Sequence, residues 1–236
     1  MPDMPQPSSV FSYDEHARSC DPNDFLKQTK RTINGIPVAP EQIEMIIKQI
    51  QRVLDLSSGD CLMEIACGNG YISKNLFQDI KYYLGSDISE YLISIARLNF
   101  EKVPDFNFKH ADALQTIQTE KDPDKFNKFL CYAGIQYFND AELIEILKLI
   151  KKHFKNIDRI FFGNIPNKEA AKSYFKTELP SEEEMSSTRT ALGCWRSKSE
   201  ISFIAQEAGW KATFHAMPEA FTGSAYRFDV LLTAGD

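Results

Sequence analysis

In the stretch CLMEIACGNGYIS, residues 61–73, a carboxylate at Glu64 is followed at alternate positions by Ala66, Gly68 and Gly70. Residues without bulky side chains, placed where a strand turns into a helix, let a ligand rest almost against the backbone. A second carboxylate, Asp87, ends the apolar run YYLGSD 23 positions after Glu64, the length of one βαβ step. An acid at such a strand end can accept hydrogen bonds from both hydroxyls of a ribose. A third acid, Asp112 in KHADAL, closes the next apolar run. Read singly, Asp87 and Asp112 need be no more than helix caps. Three successive strands ending in acids at one sheet edge outline a nucleoside site instead. The spacing is not G-x-G-x-x-G, which argues against a nicotinamide dinucleotide with its pyrophosphate on the helix terminus.

The elements that must position these residues follow from periodicity. EQIEMIIKQIQRVLDL places Ile43, Ile46, Ile47, Ile50, Val53 and Leu54 on one helical face. From residue 61 onward, short apolar runs alternate with amphipathic stretches, the pattern of βα units. Strands are expected at CLMEIA, YYLGSD, FNFKHAD, KFLCYAG, RIFFGNI, KATFHAMP and YRFDVLLTA, with helices near YISKNLFQ, SEYLISIARLNF, AELIEILKLIKKHF and SEISFIAQEAG. In the last helix Ser197 and Glu200 form a capping box, and Gly209 provides the stop. The loop EAFTGSA is too short for a helical crossover, so the last two strands must be antiparallel. The expected fold is α/β: a Rossmann-like, doubly wound, seven-stranded, mostly parallel sheet with an antiparallel final strand.

A chain of 236 residues with ordinary apolar and charged fractions builds one substantial core. Its formal net charge of −6 offers no general attraction to nucleic acid or anionic membranes. The five cysteines are scattered without a C-x-x-C pair, which fits reduced thiols in a cytoplasmic protein better than disulfides or zinc. Cys67 reads as a small residue in a tight turn rather than a nucleophile. Residues 1–40 are expected to form a flexible tail, MPDMPQPSSV, followed by a polar cap or lid. Residues 168–195 lack a sustained period and read equally as a solvated insertion or a substrate lid.

The order E-x-A-x-G-x-G resembles the first motif of the class I S-adenosylmethionine-dependent methyltransferases, [DE]-x-G-x-G-x-G, with Ala66 replacing the first glycine. The resemblance covers residues 41–236, read as one class I methyltransferase domain, and is nearest to the small-molecule members; QTKRTING and YRFDVLL are similar to stretches in enzymes acting on saccharide or secondary-metabolite precursors. It implies methyl transfer from S-adenosylmethionine, leaving S-adenosylhomocysteine. By the same resemblance Glu64 braces the turn or reaches the methionyl ammonium, Asp87 holds the ribose, Ile88 lies against the adenine, and Asp112 with Ala113 meets the adenine edge. Gln28 and Arg31 would fold over the cofactor, Arg31 facing its carboxylate, and Tyr13 and His16 would belong to the same lid.

Many relatives carry a segment of the hh-x-x-L-H-H-F kind after the fourth strand, beside the transferring methyl. Here it reads Gly134, Ile135, Gln136, Tyr137 and Phe138, without the two histidines. Gln136 and Tyr137 are then the residues nearest the chemistry. Of the four histidines, His16 is the best candidate base, with Tyr137 its competitor; His110 would shape the adenine pocket, His153 lie on a helix surface and His215 in the core. The stretches AGIQ and GNIP lack the acids that bind metal in catechol-methylating relatives, so no metal is expected, and N-P-P-[YF] is missing. The expected acceptor is a small-molecule hydroxyl, with amine and carbon acceptors open, in a monomer or homodimer without nucleic-acid or membrane partners. Arg189, Arg196 and Arg227 fall near the acceptor side, either for an anionic substrate or in surface ion pairs. The rivals are a methyltransferase-like binding module without catalysis and a nicotinamide reductase, the latter lacking a Tyr-x-x-x-Lys pair.

Overall fold

The computed structural model describes residues 11–235, so the tail expected over residues 1–10 lies outside the described residues. Two short helices, α1 (Tyr13–Arg18) and α2 (Phe25–Gln28), and a hairpin of β1 (Thr32–Ile33) and β2 (Ile36–Pro37) precede the long helix α3 (Pro40–Leu54). There follow β3 (Cys61–Ile65), β4 (Tyr82–Asp87), α4 (Glu90–Phe100), β5 (Phe106–His110), α5 (Ala113–Thr119) and β6 (Lys128–Tyr132). The chain closes with α6 (Asp140–His153), β7 (Arg159–Pro166), α7 (Glu182–Met185), α8 (Lys198–Glu207), β8 (Trp210–Ala216) and β9 (Arg227–Ala234).

Seven strands form one sheet in the order β5-β4-β3-β6-β7-β9-β8. β3 to β7 run parallel, and β9 is antiparallel to both β7 and β8. The order reverses at β3 and β6, and the crevice beyond their carboxyl ends is where ligands bind in doubly wound sheets. β3 is buried at all five residues because helices cover both faces, which is why it reads as a continuous apolar run. Successive residues alternate between two cores. Met63, Ile65 and Phe129 pack with α5, α6 and α8, whereas Leu62, Tyr83 and Leu130 pack with α3 and α4.

Three local expectations differ from the structure. YISKNLFQ forms 3₁₀ turns over Ser73–Asp79 rather than an α-helix. The Asn75 side chain donates to the Tyr71 and Ile72 carbonyls and competes with the helical ladder, while Ser73 is drawn inward by Glu64. Helix α5, absent from the expected set, is nucleated by Asp112 at its N-cap. The β1–β2 hairpin, also absent from the expected set, turns at Asn34-Gly35, whose positive φ values of 51° and 78° match the strand twist. Helix α8 keeps both bonds of its expected capping box. No helix among the described residues is long and apolar enough to cross a membrane.

Candidate active site

After β3 the backbone enters the left-handed region three times, at Ala66 (φ 54°), Gly68 (φ 58°) and Gly70 (φ 72°). Ala66 tolerates a conformation that glycine would adopt freely, and its Cβ lies only 2.6 Å from where a Cβ on Gly134 would stand. Gly134 is therefore bare for a packing reason. At Gly70 an added Cβ would meet the Phe108 ring at 2.7 Å. Strain and overpacking together predict that Gly70→Ala lowers stability by about 2–3 kcal/mol, read as a fall in the urea midpoint at unchanged slope.

Asp87 ties this turn to α4. Its Oδ2 accepts the Gly68 N–H at 2.8 Å and its Oδ1 the Ser89 N–H at 2.8 Å. Burial pushes the carboxyl up, and those two bonds oppose it. Ile88 beside it is 76% exposed and lines the same cavity. Asp112 Oδ1 accepts the Gln115 N–H at 2.7 Å, and the residue also lines the cavity with Ala113. The cap function weighed for Asp112 is present because α5 starts at the next residue.

Glu64 sits behind the turn, buried, its Oε2 accepting from Tyr83 Oη at 2.6 Å and from Ser73 Oγ. It braces the turn and does not line the cavity. Burial pushes its carboxyl up to about 7, against the pull of Ser73, Tyr83 and Arg31. A carboxyl raised in the folded state contributes stability that is complete below its ordinary value near 4.5 and is lost as pH rises toward 7. Asp229, pushed by burial up to about 6, acts in the same sense. Unfolding free energy is expected to fall from pH 5 to 7, the Glu64 share being on the order of 3 kcal/mol, and Glu64→Gln should flatten most of that slope in urea titrations.

The cap closes on the turn from the amino-terminal side. Asp14 accepts from Ser89 Oγ at 2.7 Å and Tyr91 N–H at 2.9 Å, and pairs with Arg18. Burial works against ionisation, but these donors outweigh it and hold the carboxyl at about 2. Gln28, expected over the cofactor, is instead a buried strut. Its Nε2 donates to the carbonyls of Asp21 and Pro22, and its Oε1 accepts from Asn69 Nδ2 at 2.8 Å inside the glycine turn. The side chain is fully buried and does not line the cavity, so it is out of a ligand's reach. Arg31 does line the cavity, its guanidinium 5.2 Å from the Tyr132 ring centre, and it makes no side-chain hydrogen bond or ion pair among the described residues.

At the far end Ile135–Tyr137 form a 3₁₀ turn after β6. Gln136 is buried, donates to the Ala133 carbonyl at 2.9 Å and accepts the Cys194 N–H on its own carbonyl at 2.8 Å. Tyr137 donates to the Ala191 carbonyl at 2.8 Å, so Tyr13, 2.9 Å away, donates to Tyr137. Burial pushes both phenols upward. Tyr137 is therefore corrected from candidate base to latch: its proton is committed and its acidity is reduced. Phe11 N–H also meets the Arg189 carbonyl at 3.0 Å, so the cap and the 168–195 segment join over the site. Together they bound a cavity of about 1150 Å³ that reaches from Asp112 to Arg227.

His16 is the one histidine lining this cavity among the described residues. Its Nε2 donates to the Lys27 carbonyl at 2.9 Å, which leaves Nδ1 as the proton acceptor. His110 is exposed, lies outside the cavity lining and bonds the Ile88 carbonyl at 3.0 Å. His153 is exposed at the end of α6, and His215 is half-buried in β8. Cys67 lies in the turn with its thiol pushed well up by burial, as a packing residue would be. Of the three arginines, Arg189 is exposed, Arg196 is buried in an ion pair with Asp140, and Arg227 lines the cavity. Sequence reasoning missed Tyr132 and Asn164 in the cavity wall; both come from strand ends whose apolar runs masked them.

Residues 62–156 match a family model described as a methyltransferase domain. No curated protein sequence matches the chain. Among solved structures it is similar to magnesium protoporphyrin IX methyltransferase from Synechocystis PCC 6803 with bound SAH, with 14% identity, a TM-score of 0.60, and coverage of 89% of this chain and 85% of that one. An S-adenosylmethionine-dependent methyltransferase from Clostridium acetobutylicum gives 16% identity and a TM-score of 0.61 over 91% and 99% of the two chains. A chain of the Haloferax volcanii complex between the Trm112 methyltransferase activator and a methyltransferase gives 14% and 0.66 over 95% and 98%. At such identities the likeness is one of fold. Residues 62–156 match the methyltransferase-domain family, and the chain that carries them has the fold of the class I S-adenosylmethionine-dependent methyltransferases.

Proposed function

We propose that the chain methylates a hydroxyl oxygen of a small molecule, a saccharide or secondary-metabolite precursor, using S-adenosylmethionine. The residues fit that cofactor: Gly68 leaves room where a Cβ would stand 3.2 Å from Thr29, Arg31 offers a guanidinium without a partner among the described residues, and Ile88 presents an exposed apolar face. Arg31 would take the methionyl carboxylate, Asp87 the ribose hydroxyls, and Ile88, Asp112 and Ala113 the adenine. When bound, S-adenosylmethionine supplies a methyl group already activated by positive sulfur. The chain's own contribution is to align the acceptor and exclude water, worth about 7–11 kcal/mol at ideal geometry. His16, through Nδ1, is the side chain proposed to take the hydroxyl proton, a further gain of about 100- to 10,000-fold.

The observation that carries the small-molecule reading is the roofed cavity. Single-ligand pockets run to about 300–1,000 Å³, and this one holds about 1150 Å³ beneath segments joined by the Phe11–Arg189 and Tyr137–Ala191 bonds. That space suits a cofactor and a compact acceptor together. Incubation with methyl-labelled S-adenosylmethionine and fractionated cell extract is expected to put label in the low-mass fraction. Label in protein or nucleic acid would refute the reading. Tight S-adenosylhomocysteine binding with no transfer into any fraction would favour a binding module.

A further inference from the structure

Charge is segregated inside the cavity. Its three acids, Asp14, Asp87 and Asp112, stand at the β4–β5 end, whereas Arg31 and Arg227 stand toward β6, β7 and β9. In a chain of net charge −6, an acid-free wall with two arginines is an uneven arrangement. Arg227 opens β9 and donates from Nη1 to the Asn164 carbonyl at 2.7 Å. It has no ion pair among the described residues, and most of its five N–H donors are uncommitted there. Glu64, buried behind the wall, acts through charge on Arg31, whereas neither it nor Asp229 forms an ion pair with Arg227 among the described residues.

The same wall carries polar atoms without partners. Tyr132 Oη, Gln136 Oε1 and Asn164 Oδ1 are buried and unbonded among the described residues, and all three residues line the cavity. Leaving such an atom unpaired is unfavourable, so it is usually explained by a ligand or water. Asn164 is further held at φ 61°, where the β7 register shifts, by its N–H bond to Asp229 Oδ1 at 2.7 Å. Non-glycine residues in that region gather at functional sites.

Resting on the methyl-transfer reading, we infer that Arg227, with Asn164 and Gln136, forms an acceptor subsite for a hydroxylated molecule bearing a carboxylate or phosphate. Arg227 holds the anionic group, and Gln136 Oε1 and Asn164 Oδ1, closed off just behind the wall in this structure, turn toward the molecule to accept from its hydroxyls. With Arg31 assigned to the cofactor carboxylate, Arg227 is the guanidinium left for the acceptor.

Glycerate, glycerol phosphate and glycerol present hydroxyls with a carboxylate, a phosphate or no charge. Each is titrated calorimetrically, at constant ionic strength, into the full chain saturated with S-adenosylhomocysteine. At least one anion is expected to bind about tenfold or more tighter than glycerol, and the tighter of the two names the group. Arg227→Gln should erase that preference with S-adenosylhomocysteine affinity kept, which also shows that the variant folds, and Arg227→Lys should retain part of it. Equal or absent binding of the three probes, or a preference that survives Arg227→Gln, overturns the subsite. Failure to bind S-adenosylhomocysteine would count against the methyl-transfer reading instead, and the same titrations on the chain alone would still decide the role of Arg227.

Discussion

Asp87→Ala is expected to weaken S-adenosylhomocysteine binding by roughly a hundredfold or more, with the chain still folded. Two losses add. A carboxylate accepting from two ribose hydroxyls makes charge-assisted bonds worth about 1.5–3 kcal/mol each. The same carboxylate also fixes the Gly68 N–H on Oδ2 and the Ser89 N–H on Oδ1, so removing it frees the turn at the residue proposed as the cofactor floor. Ser89 is 2% exposed, so its N–H stays out of water without the carboxylate and a stability cost of about 1–3 kcal/mol accompanies the binding loss. Calorimetric titration checks the affinity, and unfolding in urea checks the fold. An unchanged dissociation constant would remove the nucleoside from this end of the cavity.

Arg196→Ala should destabilise the chain by about 2–4 kcal/mol, mainly by leaving two carbonyls without their donors, since the partner carboxylate of Asp140 is 58% exposed and returns to water. Arg196 is 2% exposed. Its Nε and Nη2 reach Asp140 Oδ1 at 2.9 Å, Nη1 the Ile135 carbonyl at 3.2 Å and Nη2 the Phe138 carbonyl at 2.6 Å. The Arg196 backbone meanwhile donates to the Pro166 carbonyl and accepts from the Lys168 N–H, so one residue joins β7, the 168–195 segment and the turn holding Gln136 and Tyr137. Deletion orphans two carbonyls beside the proposed methyl-transfer position. Arg196→Lys keeps the charge but not the fork, and should recover only part of the stability. In either variant turnover is expected to fall more than S-adenosylhomocysteine affinity, because the displaced turn lies at the acceptor end. Equal loss of both would mean that Arg196 supports the whole sheet rather than this turn.

The arginine also shows why sequence alone stopped short. Arg189, Arg196 and Arg227 were equivalent as letters in a polar stretch, yet one is exposed, one is buried among carbonyls and one faces the cavity. Burial of a charge depends on which carbonyls the fold brings around it. Gln28 and Tyr137 moved from cofactor and catalytic roles to structural ones for the same reason: their hydrogen-bond partners, Asn69 and Ala191, lie 41 and 54 positions away.

By itself the sequence determined the sheet, its antiparallel closing strand, the glycine turn and the acids at its edge. Those features are written in period-two and helical apolar patterns, in a loop too short for a crossover, and in small residues at fixed spacing, all of them local constraints of backbone geometry. Only the tertiary structure decided that Glu64 is buried on Ser73 and Tyr83, that the cap and the 168–195 segment meet over one cavity, and that Arg227 stands there with Asn164. Each of those outcomes is a long-range contact, set by how helices and loops from distant parts of the chain pack over the carboxyl ends of the strands.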